Sequence, residues 1–326
     1  MLNMIGRALA LAVGITALAG SALAQAQAWP QRNVRFIIPF GAGAGADIGA
    51  RMFAERLQKK WGHAIVVENR PGGDGLVAIQ AFVQANDDHV LLFAATGSFT
   101  VHPFQRDKLP YDREKDILPI ARVSNTLLGV GVQAASGINS LKDLVARARA
   151  EPGKLNVALV PGITEFVWDG FAHAEKLNIV KVPYRDIVQA VPDLGEGRLQ
   201  VMMASVAILQ PGINAGRVKL IGLNGVSRNE AMAPGVPTTS EAGFKSLQVE
   251  GLIGLMGPKM MPLELRKRIG ADVIEVGKDP EIVKRLGATF QVVNPGGPEE
   301  FGKAMIDQSA QIEVIAKALG IQRKAQ

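Results

Sequence analysis

Apolar residues fall into short runs that alternate with stretches of helical spacing along most of the chain. The segment FIIPFGAGAGADIGAR, residues 36–51, sets the pattern: an apolar run ends at Pro39 and Phe40, a glycine-rich turn follows, and Ile48 to Leu57 carry apolar side chains at helical intervals. This reads as strand, turn, helix. AIVVE gives a second strand ending on Glu68, a helix is predicted around Gly75 to Gln84, and HVLLFAA gives a buried strand before the turn TGSFTVHP. Pro103 to Pro119 reads as loop. Beyond it, IARVSNTLLGVGVQ, KLNVALV, IVKVPY, LQVMMAS, VKLIGLNG and GLIGLMGP read as strands. INSLKDLVARARAEPGK reads as a helix capped by Ser140 and stopped at Pro152-Gly153. TEFVWDGFAHAEKL, DIVQAVPDLGEG, Pro262 to about Lys278 and Pro298 to Leu319 read as helices too. Such alternation predicts parallel α/β sheets.

The block from about Asn125 to Val226 carries an α/β pattern of its own, so the chain is expected to enter a second lobe and return. The crossings are placed near Leu127 to Gln133 and Lys219 to Val226. That divides the chain into a leader, residues 1–28, a first lobe from 29–125 plus 227–326, and a second lobe from 126–226.

Hydrophobic residues are 48% and charged residues 20%, which excludes disorder over most of the length. A net charge of +6 without a basic stripe interleaved with aromatics gives no reason to expect a nucleic-acid partner. Residues 1–28 read as a cleavable secretory signal: one early charge at Arg7, an apolar stretch from Ala8 to Ala19, and small residues at Ala22, Ala24, Ala26 and Ala28. The stretch is short for a bilayer span. Export is therefore expected, and with no cysteine the exported fold relies on packing alone.

The glycine turn carries several chemistries. Gly41, Gly43 and Ala46 satisfy the relaxed G-x-G-x-x-G/A dinucleotide fingerprint, with Glu68 about where an acidic ribose ligand belongs. Export argues against a nicotinamide cofactor. A turn whose amides face an oxyanion at a helix N-terminus, and a tight turn without ligand, both fit the residues. Catalytic signals are thin, with no G-x-S-x-G elbow, Walker lysine, H-E-x-x-H or cysteine nucleophile. His63, His89, His102 and His173 lack ligand spacing, and only His102 stands close to the TGSFT turn. Asp186 and Asp193 share a solvated helix face. No metal and no cofactor are expected.

VRFIIPFGAGAGADIGARMFAERLQKKWGHAIVVENRPGGDG resembles the opening of the substrate-binding receptors of tripartite tricarboxylate transporters, the Bug or TctC-like family. Its hallmark reads PF-x-x-G-G-x-x-D-x-x-AR and then ENRPGAGG. Pro39, Phe40, Gly43, Asp47, Ala50 and Arg51 match, as do Glu68, Asn69, Arg70, Pro71, Gly72 and Gly75. Agreement continues through LPYD at Leu109, PGKL at Pro152, VPY at Val182 and VPTTSEAGF at Val236, and so spans the mature chain. The resemblance implies a periplasmic binding protein of type II, with two Rossmann-like α/β domains joined by two crossing strands. Such a receptor closes on an organic carboxylate and delivers it, as a monomer, to a membrane permease. An exported ligand sensor, or an exported enzyme using Glu165, Asp47 and His102, are the alternatives on the same scaffold.

The resemblance further implies a carboxylate held between two loops of the first lobe. One is Phe40 with Gly43, Ala44, Gly45, Ala46 and Asp47; the other is Thr96, Gly97 and Ser98. The Thr96 and Ser98 hydroxyls and the amides of the Gly43 to Ala46 turn are expected to receive it, with Gly45 leaving room for the ligand. Asp47 fits either a capping or a recognition role, while ENRPG builds structure, with Arg70 held extended by Pro71. From the second lobe, Gly162, Ile163, Thr164 and Glu165, then Tyr184 and Arg185, then Ala204 and Ser205 are expected at the cleft. Here the chain departs from its relatives: Glu165 stands where many carry histidine, Ala204 and Ser205 where many carry aspartate, and Asp74 replaces a usual glycine. Ile163 and Ala204 suggest a ligand with a nonpolar or aromatic body. An unpaired Glu165 would favour an amine or hydroxyl, unless Arg185 neutralises it.

Overall fold

Val34–Ile38 (β1) buries both faces: Val34, Phe36 and Ile38 enter one core cluster and Ile37 another. This is the pattern of a strand inside a parallel sheet with helices on both sides. The computed structural model describes residues 29–160, 162–184 and 187–324. The expected signal segment, Pro161, Arg185 and Asp186 lie outside the described residues.

After β1 the chain runs through Gly45–Trp61 (α1), Ile65–Asn69 (β2), Leu76–Ala85 (α2), Val90–Ala95 (β3), Gly97–Gln105 (α3), Arg113–Asp116 (α4) and Leu118–Thr126 (β4). Leu128–Gln133 (β5), Leu141–Ala150 (α5), Asn156–Leu159 (β6), Ile163–Ala174 (α6), Val180–Lys181 (β7), Ala190–Gly195 (α7), Val201–Ser205 (β8), Val206–Asn214 (α8) and Val218–Leu223 (β9) follow. Gly251–Gly257 (β10), Leu263–Gly277 (α9), Pro280–Gly287 (α10), Gln291–Gly296 (β11) and Pro298–Ala318 (α11) complete it.

Two sheets result, a six-stranded one in the order β11-β4-β10-β3-β1-β2 and a five-stranded one in the order β7-β6-β8-β5-β9. They are mixed rather than parallel throughout. β2, β1 and β3 run parallel, as do β7, β6 and β8, but β10 is antiparallel to β3 and β4, and β5 to β8 and β9. The antiparallel pairs are made where the chain changes sheets and comes back.

The first change takes a single residue. Leu127 donates its N–H to Phe290 O (2.9 Å), and its carbonyl accepts from Val206 N (2.9 Å). This splits the continuous apolar run IARVSNTLLGVGVQ into β4 and β5, which belong to different sheets. The return begins after Leu223: Asn224 N still bonds Leu128 O at 3.0 Å, and Val249 N bonds Asn224 O at 2.7 Å.

α11 ties the two sheets together. Phe301 and Met305 near its start pack in the core of the six-stranded sheet. Ile312, Ile315 and Ala316 near its end join Trp168 and Phe171 in the core of the five-stranded one. The close packing leaves no room at Gly170, where a Cβ would lie 2.7 Å from Ile315 Cγ2.

Candidate functional site

The carboxyl ends of β1, β2 and β3 deliver the candidate residues to one place, as open α/β sheets do. The glycine turn is built by Asp47. Its carboxylate accepts from Gly43 N (2.8 Å), Asn69 Nδ2 (2.9 Å) and Arg51 Nε (3.1 Å), and the side chain is almost fully buried. Asn69 also donates to Phe40 O at 2.9 Å, which pins the end of β1 to the end of β2. Gly43 takes φ 86°, a conformation that favours glycine. Asp47 is thus a capping residue. Burial pushes its pKa up, but the bonds from Gly43, Asn69 and Arg51 together hold it below the ordinary value of 3.8.

A carboxyl group with a lowered native pKa contributes stability above its unfolded pKa, and that contribution is lost as pH falls through the native value. Asp47→Asn should therefore flatten the acid limb of the stability curve below about pH 4. Urea unfolding between pH 2 and 6 checks this. An acid limb as steep as in the wild type would remove Asp47 from the account.

Several expected contacts are differently spent. Gly43 N is taken by Asp47, and Ala44 N bonds Gly41 O at 3.2 Å. The amides left for an anion are those of Gly45, Ala46 and Asp47, which have no carbonyl four residues back inside the helix. Gly45 makes room for the protein itself, since its Cβ would lie 3.2 Å from Gln291 Nε2. The Thr96 hydroxyl faces the core, where it donates to Gln308 Oε1 at 2.6 Å. That orientation follows from full burial of Thr96 beneath α11, which leaves Ser98 as the hydroxyl near the cleft. TGSFTVHP is not a turn but the start of α3, because Phe99, Val101 and Phe104 reach the cores with helical spacing.

The two sheets meet at helix N-termini. A Cβ on Gly97, in the first turn of α3, would lie 2.6 Å from Ile163 Cγ2, in the first turn of α6. On the far side, Thr164 Oγ1 donates to Val160 O and ties the first turn of α6 to the end of β6. Glu165 is neutralised, but by Lys181 Nζ (2.9 Å), which also holds Asp169 at 3.0 Å. Burial disfavours the charge on Lys181, yet these two bonds outweigh it and hold its pKa above the usual lysine value. Tyr184 is committed as well: its hydroxyl donates to Asp193 Oδ2 at 2.7 Å, and burial together with that bond pushes its pKa up to about 12. Ala204 packs in the core of its own sheet, and Ser205 begins α8 without a side-chain cap.

Asp74, expected only as a departure from the family pattern, and His102, expected only in the acid/base set of an enzyme, stand beside the site. Asp74 accepts from Ser98 Oγ at 3.0 Å, and His102, fully buried in α3, joins it to Tyr111. The break in the ENRPGAGG pattern at Asp74 was the available signal.

Elsewhere, a cavity of about 600 Å³ opens between β4, β10 and α11. Arg122 and Lys303 line it together with Glu250, Glu300 and Asp307, so its charge does not favour an anion. Asp87, Asp88 and His89 come within metal-binding range of one another, but His89 Nε2 accepts from Gln31 N (3.1 Å) and Nδ1 faces Asp88 (2.6 Å). Both ring nitrogens are occupied. No helix among the described residues is long and apolar enough to cross a membrane.

Residues 49–321 match the family described as "Tripartite tricarboxylate transporter family receptor". A UPF0065 protein of Bordetella bronchiseptica is 31% identical over 283 residues, 86% of this chain and 84% of that protein. Among solved structures, one described as a periplasmic transporter superposes with a TM-score of 0.79 at 27% identity, covering 91% of this chain and 100% of that one. R. palustris Rpa4515, solved with adipate, gives 0.77 at 23% identity, covering 90% and 99%. The fold is that of two-lobed periplasmic binding proteins, and the chain belongs to the receptor family of the tripartite tricarboxylate transporters.

Proposed function

We propose that the chain is an extracytoplasmic receptor that captures an organic carboxylate between its lobes and hands it to a permease of the tripartite tricarboxylate type. The observation that carries this reading is the meeting of the α3 and α6 N-termini between the two sheets, with Gly97 against Ile163 and Asp74 against Gly162. One ligand carboxylate would take the amides of Gly45 and Ala46 beside Phe40, and the start of α6 would close over the rest. The adipate in the R. palustris neighbour supports a carboxylate as ligand class. Residues 29–125 plus 227–326 serve as the first lobe and 126–226 as the second, with the end of α11 docked on the latter. The receptor acts as a monomer, exported to the periplasm behind residues 1–28.

An enzyme is the weaker reading. The acid/base set it needs is spent elsewhere: Asp47 on its cap, Glu165 on Lys181, His102 between Asp74 and Tyr111.

Thermal melting of the mature chain against aliphatic, aromatic and amino carboxylates tests the receptor. A ligand at a hundred times its Kd should add about 2.7 kcal/mol of stability. Flat melts across the whole set would refute it.

A further inference from the structure

Asp74 brings a carboxylate with one unbonded oxygen to the meeting of the lobes. Its backbone is left-handed, φ 55° and ψ 45°, a conformation that aspartate tolerates better than most residues. The turn aims the side chain at the second lobe, where a Cβ on Gly162 would lie 3.0 Å from Oδ2 and 3.1 Å from Oδ1. Oδ1 is satisfied by Ser98. Oδ2 is shut off from solvent and has no hydrogen-bond partner among the described residues.

His102 Nε2 lies 3.4 Å from Oδ2 but gives its proton to the Asp74 carbonyl oxygen, an acceptor 3.1 Å away. Nδ1 and the Tyr111 hydroxyl lie 2.8 Å apart. Among the described ion pairs, Asp74 has no lysine or arginine. Glu165, the other acid expected at the cleft, does have one in Lys181.

A carboxylate oxygen buried without a donor is costly, and a cationic donor is the strongest remedy. The geometry points to Asp74 as the residue that sets what the receptor accepts: a carboxylate that also carries a protonated amine. The ammonium takes Oδ2 between Asp74 and the start of α6, while the ligand carboxylate takes the amides at the start of α1. A second carboxylate in that place meets like charge at short range and is rejected. This inference rests on the receptor reading above.

Calorimetry on the mature chain with matched probes tests it. The sets are 4-aminobutyrate, 4-hydroxybutyrate, butyrate and succinate; alanine, lactate and propionate; and 4-(aminomethyl)benzoate with terephthalate. In the skeleton that fits, the amine should bind about tenfold or more tighter than its partners. Asp74→Asn keeps shape and removes charge, while Asp74→Gly suits the left-handed turn; each should erase that preference. A dicarboxylate or hydroxy acid that matches the amine, or a preference that survives Asp74→Gly, overturns the inference and leaves the receptor standing. No binding by any probe overturns both.

Discussion

Gly97→Val should weaken carboxylate binding by up to about a hundredfold. Gly97 begins α3 with ordinary helical backbone, so valine can be accommodated within its own lobe. The obstruction lies across the cleft. Even a Cβ would come within 2.6 Å of Ile163 Cγ2 and 3.0 Å of Ile163 Cβ, close to the backbone of α6, where little can give way. Closure then costs about 1–3 kcal/mol more, and apparent affinity falls with the fraction of closed receptor. Ile163→Ala in the same chain should restore part of the loss, because the two residues are in direct contact. Calorimetry of the single and double variants measures both effects. Wild-type affinity in Gly97→Val would mean that the lobes do not meet there when ligand is bound.

Phe301→Ala should destabilise the fold by about 3–5 kcal/mol, the usual range for an aromatic removed from a core. Phe301 is fully buried near the start of α11, with its ring against Gly254 in the middle of β10. The fit is tight enough that any Cβ at 254 would overlap the ring and lie 2.7 Å from Ala121 O on β4. The helix is held to the six-stranded sheet at this point and reaches the other lobe from it, so the site depends on the same anchor. Urea unfolding gives the number. A loss below about 1 kcal/mol would show that the core collapses around the vacancy and that the anchor lies elsewhere.

Long periodic elements were legible in the sequence. α9, α11 and the Ser140-capped α5 lie within a few residues of where spacing and capping put them, and Ser140 does accept from Asp143 N. α8 was missed because VAILQPGIN carries a proline that local rules treat as a breaker; Pro211 falls late in a short helix that packs through Leu209 into the core shared with Val218. β11 was missed because QVVNPG has a strand pattern only at its start, and its register shifts between Val293 and Gly296. The split of one apolar run at Leu127 depends on Phe290 and Val206, which are distant in sequence, so no local pattern could reveal it.

The site followed the same division. The glycine turn, Asp47 and the α3 start were named from motif and resemblance, and the capping role of Asp47 follows from its place at a helix start. Where side chains point was not legible. Thr96 and Ser98 are two residues apart and of similar chemistry, yet the packing of Gln308 takes one hydroxyl inward and Asp74 takes the other. Lys181 reaches Glu165 only because β7 runs beside β6. The local segment gives no sign of that pairing.

The receptor claim meets its most direct test in a crystal structure of the mature chain with the tightest carboxylate from the melting screen. The account predicts the lobes closed on the ligand, one carboxylate oxygen within about 3 Å of the Gly45 or Ala46 amide, and the start of α6 over its other end. A carboxylate bound outside this cleft, or lobes equally closed with and without it, would contradict the account.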